Sequence, residues 1–271
     1  MAGLSKPVGD AALDRQIEQL AEWIADASHM VVFTGAGIST ESGIPDFRSP
    51  GGIWTKMMPV HFSDYVADPQ ARHLSWVRRF EMEETWNAVK PNVGHKAVAD
   101  LAARGIVKSV ITQNIDNLHQ AAGMTDEQVI ELHGNTRRAG CLTCGARAEI
   151  ADIRRHFDTH GGAPDCRFCG GILKTATISF GQAMPEAEMA RAHAASMAAD
   201  LFLVAGSSLS VYPAASFPLL AQEAGARLVI LNREPTPQDR AADLVLNSEI
   251  GPTLGAALGL LAQGCPPGLD R

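Results

Sequence analysis

The chain has few cysteines, no long apolar run and a deficit of positive charge. No uninterrupted hydrophobic stretch approaches the roughly 20 residues of a membrane-spanning helix. No signal-peptide core precedes Val31, and residue 2 is Ala, not the Gly that myristoylation requires. The formal net charge of -7 argues against bulk affinity for nucleic acid or an anionic membrane. The five cysteines, Cys141, Cys144, Cys166, Cys169 and Cys265, form two close pairs and one remainder. That pattern suits a metal site in a reducing compartment better than a disulfide framework. A cytoplasmic protein is therefore expected. With 271 residues, 46% hydrophobic and 20% charged, it can bury a sizeable core.

Short apolar stretches recur, and each stops in a polar turn. Met30–Phe33 runs into Gly35-Ala36-Gly37, and Val107–Thr112 into Gln113-Asn114-Ile115-Asp116. Gln128–Leu132 ends in His133-Gly134-Asn135, and Leu201–Ala205 in Gly206-Ser207-Ser208. Leu228–Leu231 ends in Asn232-Arg233-Glu234, and Leu244–Leu246 in Asn247-Ser248-Glu249-Ile250. Amphipathic helical patterns alternate with them, as over residues 10–28, 94–104 and 186–199. The pattern predicts an α/β fold with a doubly wound, Rossmann-like parallel sheet, whose ligand sits past the carboxyl ends of the strands. Hydroxyl, amide and small residues at those ends suit two riboses and a pyrophosphate. Asn and Asp are also ordinary turn residues, so a plain loop remains the alternative at any single end.

The Gly-x-Gly after the first strand is half of a dinucleotide fingerprint, in which glycine lets backbone N–H groups approach a pyrophosphate. The third glycine would fall at Thr40. By itself such a turn is a weak signal. The next stretch, Glu41 to Arg48, is broken by Gly43 and Pro45 and presents Asp46, Phe47 and Arg48. It reads either as a loop folded over a nucleotide or as a solvated surface loop. Residues 50–92 read as an irregular, then helical insertion whose Trp54, Met57, Met58, Phe62, Trp76, Phe80, Met82 and Trp86 form a packed core or groove.

Cys141-x-x-Cys144 and Cys166-x-x-Cys169 form two matching knuckles, 21 residues apart. That is a zinc-ribbon signal. Four thiolates fill a tetrahedral ion and leave no position for water, so the zinc is structural. The chain divides into a dinucleotide-binding domain (residues 1–49, 93–135 and 176–271), a helical insertion (50–92) and a zinc-ribbon module (136–175). Ile172 to Phe180 leaves the ribbon and reads as extended.

Taken together, these segments resemble the sirtuin family of NAD-dependent protein lysine deacylases. The resemblance rests on residues 35–48 (GAGISTESGIPDFR), residues 112–123 (TQNIDNLHQAAG), His133-Gly134, the cysteine pairs, Ser179-Phe180-Gly181, residues 206–215 (GSSLSVYPAA) and Leu231-Asn232. It implies that NAD is a consumed co-substrate and that acyl-lysine proteins are the substrates. Gly35, Ala36, Gly37, Thr40, Asp46, Phe47 and Arg48 would hold the diphosphate and cover the nicotinamide riboside. Gln113, Asn114, Ile115 and Asp116 would form the nicotinamide and ribose pocket, with Asn114 and Asp116 acting in catalysis and His133 as general base. Gly206, Ser207, Ser208, Asn232, Arg233, Glu234, Glu249 and Ile250 would take the adenosine half. Phe180 would line the acyl-lysine tunnel, with substrate backbone added as a strand along Ile178, Gly181 and Gln182.

In the mechanism the resemblance implies, the acyl oxygen attacks the ribose carbon bearing nicotinamide, and His133 then deprotonates a ribose hydroxyl. Free lysine, nicotinamide and O-acyl-ADP-ribose result. Where the family commonly has Phe-Gly-Glu, this chain has Phe180-Gly181-Gln182, and Asn135 stands where a small residue is usual. Trp76-x-x-Arg79 partly matches the Tyr-x-x-Arg of members that remove acidic acyl groups. Arg79, or Arg78, is thus either an acyl contact or a solvated helix residue, and acetyl or another uncharged acyl group is the default. Protein mono-ADP-ribosyltransfer in the same pocket, a non-enzymatic zinc-ribbon interaction module, and a hydride-transferring dehydrogenase are the rivals. The missing third glycine speaks against the last.

Overall fold

The structure is a computed structural model that describes residues 11–46, 52 and 58–264. Phe47, Arg48, Trp54, Met57 and Cys265 lie outside the described residues. The strands are β1 (Met30–Thr34), β2 (Val107–Thr112), β3 (Val129–Glu131), β4 (Gly134–Cys141), β5 (Arg147–Ala148), β6 (Leu173–Thr177), β7 (Leu201–Ala205), β8 (Arg227–Leu231) and β9 (Leu244–Leu246). Those outside the β4–β6 group form one six-stranded sheet in the order β3-β2-β1-β7-β8-β9, all pairs parallel. This is the doubly wound arrangement. The chain reverses its direction of winding between β1 and β7, so a crevice opens at their carboxyl ends.

The central strands read as apolar runs because both of their faces are covered. Every residue of β1 and of β7 is buried. Side chains alternate across the sheet. Val32 joins a core with Ile17, Leu20 and Ile24 of α1 (Ala11–Asp26). Val31 and Phe33 face the opposite core, which holds Phe202, Val204, Ala192 and Phe217. Phe33 and Phe202 pack with ring centroids 6.2 Å apart. Truncating either to Ala would cost about 3–5 kcal/mol.

Between β3 and β7 lies a three-stranded antiparallel sheet in the order β5-β4-β6. The insertion helices pack against it. These follow the four-residue helix α2 (Gly37–Thr40) and are α3 (Phe62–Ala67), α4 (Pro69–Glu81) and α5 (Glu83–Ala88). Trp76 and Phe80 of α4 share one buried cluster with Cys141, Ile150, Ile153 and Leu173. The Tyr65 hydroxyl donates to Leu173 O at 2.7 Å. Tyr65, Trp76 and Phe80 therefore serve as a packed core, whereas Met58 is exposed.

The extended run from Ile172 is shorter than its composition predicts. Strand β6 stops at Thr177, and Ser179–Gln182 closes as a turn, with Gln182 N–H donating to Ser179 O at 3.0 Å. Gly181 sits at φ +79° in the third position of that turn. A type II turn demands a positive φ there, which glycine supplies.

Candidate active site

The site is built where β1, β2 and β7 end. Helix α2 begins directly after β1 and carries Ser39. Its hydroxyl donates to Asp116 Oδ2 at 2.7 Å and accepts from Asn114 Nδ2 at 3.2 Å. Asn114 Nδ2 also donates to Gly35 O at 3.0 Å, and Leu118 N–H donates to Asp116 Oδ1 at 2.9 Å. Burial pushes the Asp116 carboxyl above the ordinary carboxylate range, and the Leu118 and Ser39 hydrogen bonds pull the other way. Gln113 Nε2 donates to Ser207 Oγ at 2.8 Å, which joins the β2 turn to the β7 turn.

The Gly35 and Gly37 amides, which the fingerprint would aim at a pyrophosphate, bond to the β7 end in this structure. Gly37 N–H donates to Gly206 O at 2.8 Å and Gly35 N–H to Ala205 O at 3.4 Å. These glycines let two turns cross. A Cβ at Gly37 would lie 2.7 Å from Gly206 Cα, and one at Gly35 would lie 2.8 Å from Gly206 O. Ala36 O accepts from Ser39 N–H at 3.0 Å, and Thr40 Oγ1 donates to Gly37 O at 2.8 Å, so both residues shape α2 itself.

His133 follows β3. Its Nδ1 lies 2.9 Å from Gln113 O. A carbonyl only accepts, so Nδ1 carries the proton and Nε2 is the basic nitrogen. Burial lowers the His133 pKa below the ordinary 6.5, partly offset by that hydrogen bond. Gly134, at φ +66°, turns the chain straight into β4. Ile115 O accepts from the Thr136 hydroxyl at 3.0 Å, which ties the site turn to β4.

A second layer lies beneath, formed by Asn92, His95 and His119, residues given no role in the sequence. Helix α6 (Val93–Ala103) carries His95, and α7 (Leu118–Ala121) carries His119. His95 Nδ1 is 3.1 Å from Asn92 Oδ1 and Nε2 is 3.4 Å from Ser39 Oγ. Asn92 Nδ2 donates to Ile38 O at 2.7 Å. Thr34 Oγ1 donates to Thr112 Oγ1 at 2.8 Å and lies 3.0 Å from His119 Nε2, while His119 Nδ1 has no partner among the described residues. Nε2–H therefore donates to Thr34, and Nδ1 is a bare lone pair. Burial drives His95 down to about 4 and His119 to about 3, the latter also through repulsion from His95. Both rings are neutral at pH 7.

The remaining expected residues gather in other groups. Past β8 and β9, Asn232 Nδ2 donates to Glu234 O at 2.6 Å, Asn247 Nδ2 donates to Asn232 O at 3.1 Å, and Arg233 pairs with Glu249 at 3.7 Å. Ile250 is buried beside Gly206, whose Cβ would lie 2.7 Å from Ile250 Cδ1. Ser208 is exposed, with Oγ 2.8 Å from Ser210 Oγ. Asp46 is half-buried. On the other side, Ile178 N–H donates to His133 O at 2.8 Å, and Phe62 N–H donates to Phe180 O at 2.9 Å. The Gln182 side-chain oxygen accepts from Ser179 N–H at 3.2 Å. Phe180 is exposed and lies in the Ser179–Gln182 turn. Arg79 is not a solvated helix residue. Its Nη2 donates to Thr136 O at 3.1 Å, its Nη1 is 3.5 Å from Glu83, and it lies over the Trp86 ring at 5.4 Å.

The four knuckle cysteines converge, with all sulfurs within 4.8 Å of one another. Cys141 and Cys169 Sγ are 3.5 Å apart, and Cys144 and Cys166 Sγ 3.7 Å. Four thiolates on one tetrahedral zinc would sit about 3.8 Å apart. Thr143 N–H donates to Cys141 Sγ at 3.4 Å. A Cβ at Gly171 would lie 2.9 Å from that sulfur, so glycine leaves room for the knuckle to close. The cluster could hold a structural zinc. Among the described residues, no helix is long and apolar enough to cross a membrane.

The Sir2 family model matches residues 35–213. The "NAD-dependent protein deacetylase 1" of Bradyrhizobium diazoefficiens is 59% identical, over 90% of this chain and 95% of that protein. The "NAD-dependent protein deacetylase" of Rhodopseudomonas palustris is 54% identical, over 92% and 98%. A solved complex of Sir2 with a p53 peptide and NAD+ superposes with a TM-score of 0.78 at 34% identity, covering 92% of this chain and 98% of that one. With the crossed turns at β1 and β7, His133 beside the β2 turn and the four-cysteine cluster, these likenesses establish that the chain belongs to the Sir2, or sirtuin, family.

Proposed function

We propose that this protein is an NAD-dependent protein lysine deacylase that takes acetyl or another uncharged acyl group and uses His133 as its general base. The observation that carries this reading is the placement of a neutral, backbone-oriented imidazole beside a buried amide–carboxylate–hydroxyl set, Asn114, Asp116 and Ser39. The relatives named as NAD-dependent deacetylases and the Sir2 complex with peptide and NAD+ support it. NAD, when bound, supplies the glycosidic bond whose cleavage drives acyl transfer.

The chain's own groups divide the work. Gln113, Asn114 and Asp116 line the nicotinamide and ribose end, and Ser39 fixes the Asp116 carboxylate. His133 holds its proton on Nδ1 against Gln113 O and takes a ribose hydroxyl proton at Nε2. Gly206, Ser207, Asn232 and Ile250 form the adenosine end. Phe180 and the Ser179–Gln182 turn border the acyl-lysine. The Arg79 guanidinium is held by Thr136 O and Glu83, which favours an uncharged acyl group over an acidic one. Zinc in the cysteine cluster would hold the β4–β6 module together and take no part in chemistry. In this reading the dinucleotide domain comprises residues 1–49, 93–135 and 176–271, with 50–92 and 136–175 as inserted modules. A cytoplasmic location is in keeping with four thiols close enough to share a metal, and the net charge of -7 argues against bulk affinity for nucleic acid or an anionic membrane.

Mass spectrometry tests the reading on one peptide bearing acetyl, butyryl, long-chain, malonyl or succinyl lysine, with and without NAD. NAD-dependent loss of the acyl group with matching O-acyl-ADP-ribose is expected. Release of nicotinamide with label retained on protein, and no acyl loss, would replace the reading with ADP-ribosyltransfer.

A further inference from the structure

Glu41 stands at the carboxyl end of α2, two residues beyond Ser39. Its Oε1 accepts from Gly251 N–H at 2.8 Å. Gly251 lies in the first turn of a long helix that starts at Ile250 and runs to Gly264. The first N–H groups of a helix have no partner inside it, and the partial positive charge there favours a carboxylate. The approach depends on glycine: a Cβ at position 251 would lie 2.2 Å from Glu41 Oε2. The preceding residue, Ile250, packs against the β7 turn. A Cβ at Gly206 would come within 2.7 Å of its side chain, and one at Gly94 within 3.1 Å. One carboxylate thus joins the helix that follows β1 to the helix that walls the β7 and β9 turns.

We infer that Glu41 is a positioning residue for the dinucleotide, holding the nicotinamide-side and adenine-side walls in register before NAD binds. The inference rests on the NAD-dependent reading above. Glu41 touches none of Asn114, Asp116 or His133 through a hydrogen bond in this structure; it acts through α2 and the helix that starts at Ile250. Its loss therefore weakens NAD binding and leaves acyl-peptide binding alone.

Initial rates, with NAD and acetyl-lysine peptide varied in turn, test this. Glu41→Ala should raise KM for NAD by on the order of fivefold, the size of one charged helix-terminus contact. The peptide KM and kcat should stay within about twofold. Gly251→Ala should give the same change by expelling the carboxylate, and the double variant should be no worse than either single one. Glu41→Gln, which keeps an acceptor without the charge, should fall between wild type and Glu41→Ala. An unchanged KM for NAD in Glu41→Ala, equal rises in both KM values, or effects that multiply in the double variant would overturn the inference. Calorimetric NAD affinity of wild type and Glu41→Ala provides a readout that does not need turnover. Absence of acyl loss in the wild type would sink the deacylase reading, whereas equal NAD affinity in the two proteins would sink the Glu41 inference.

Discussion

Acid should unfold this protein through His95 and His119. Each is almost wholly buried, and the two rings lie 5.1 Å apart. Protonating His119 would put an N–H on Nδ1, which has no acceptor among the described residues. In the unfolded chain both rings take up a proton near pH 6.5. In the folded protein they do so only at about 4 and about 3. Below pH 6.5 the unfolded state therefore binds more protons, and stability falls as pH falls. Each ring contributes about 1.4 kcal/mol of loss per pH unit until its folded pKa is reached. Between pH 6.5 and 4.5 the pair removes about 5 kcal/mol, comparable with the whole stability of many domains. The lowered His133 pKa acts in the same direction, and the raised Asp116 carboxyl opposes it at lower pH. Urea unfolding followed by tryptophan fluorescence at several pH values between 7 and 5 measures the slope. His119→Gln keeps an N–H donor for Thr34 and does not titrate. Its stability should fall with a slope smaller by about 1.4 kcal/mol per pH unit. Equal slopes in the variant and the wild type would refute a neutral, buried His119.

Gly134→Ala should melt well below wild type, by about 2 kcal/mol or more, because a Cβ there would meet Ala176 O at 1.8 Å and φ is +66°. A thermal melt that matches wild type would show the backbone can relax around it. Stripping zinc with a chelator should lower the melting temperature and the activity together, since the cysteine cluster shares a core with α4. Metal-free protein with unchanged melting and rate would remove the structural role. Burial lowers the His133 pKa, so the base form already dominates at pH 7, and the acid limb of kcat/KM should fall below pH 6.5. A limb centred above pH 7.5 would assign it to another group.

The parallel sheet was legible because strands covered on both faces must be apolar throughout and must end in turns. Val107–Thr112, Leu201–Ala205 and Leu244–Leu246 match the observed strands residue for residue. The four cysteines were legible because a tetrahedral ion fixes the local spacing of its ligands. The layer beneath the site was not, because Ser39, the Asn92–His95 pair and His119 come from three separate helix starts and meet only after folding. The Asn-capped Pro91-Asn92-Val93-Gly94-His95 stretch was the available signal, since Asn92 accepts from His95 N–H at 3.2 Å. The protein partners of the Gly35 and Gly37 amides were not legible either. Glycine permits close approach, and the partner that approaches is the Gly206 turn. Ile172–Phe180 read as one strand because β-branched residues favour extension, but Gly181 closes a turn whose outer side is held by Phe62.

The most direct measurement compares wild type with His133→Ala in two assays on one acetyl-lysine peptide: exchange of labelled nicotinamide into NAD, and formation of O-acetyl-ADP-ribose. A base that acts after nicotinamide leaves predicts that exchange persists in the variant, while product formation drops by on the order of a hundredfold or more, as for loss of a general base. Product formation near the wild-type rate in a folded His133→Ala protein would contradict the assignment of His133.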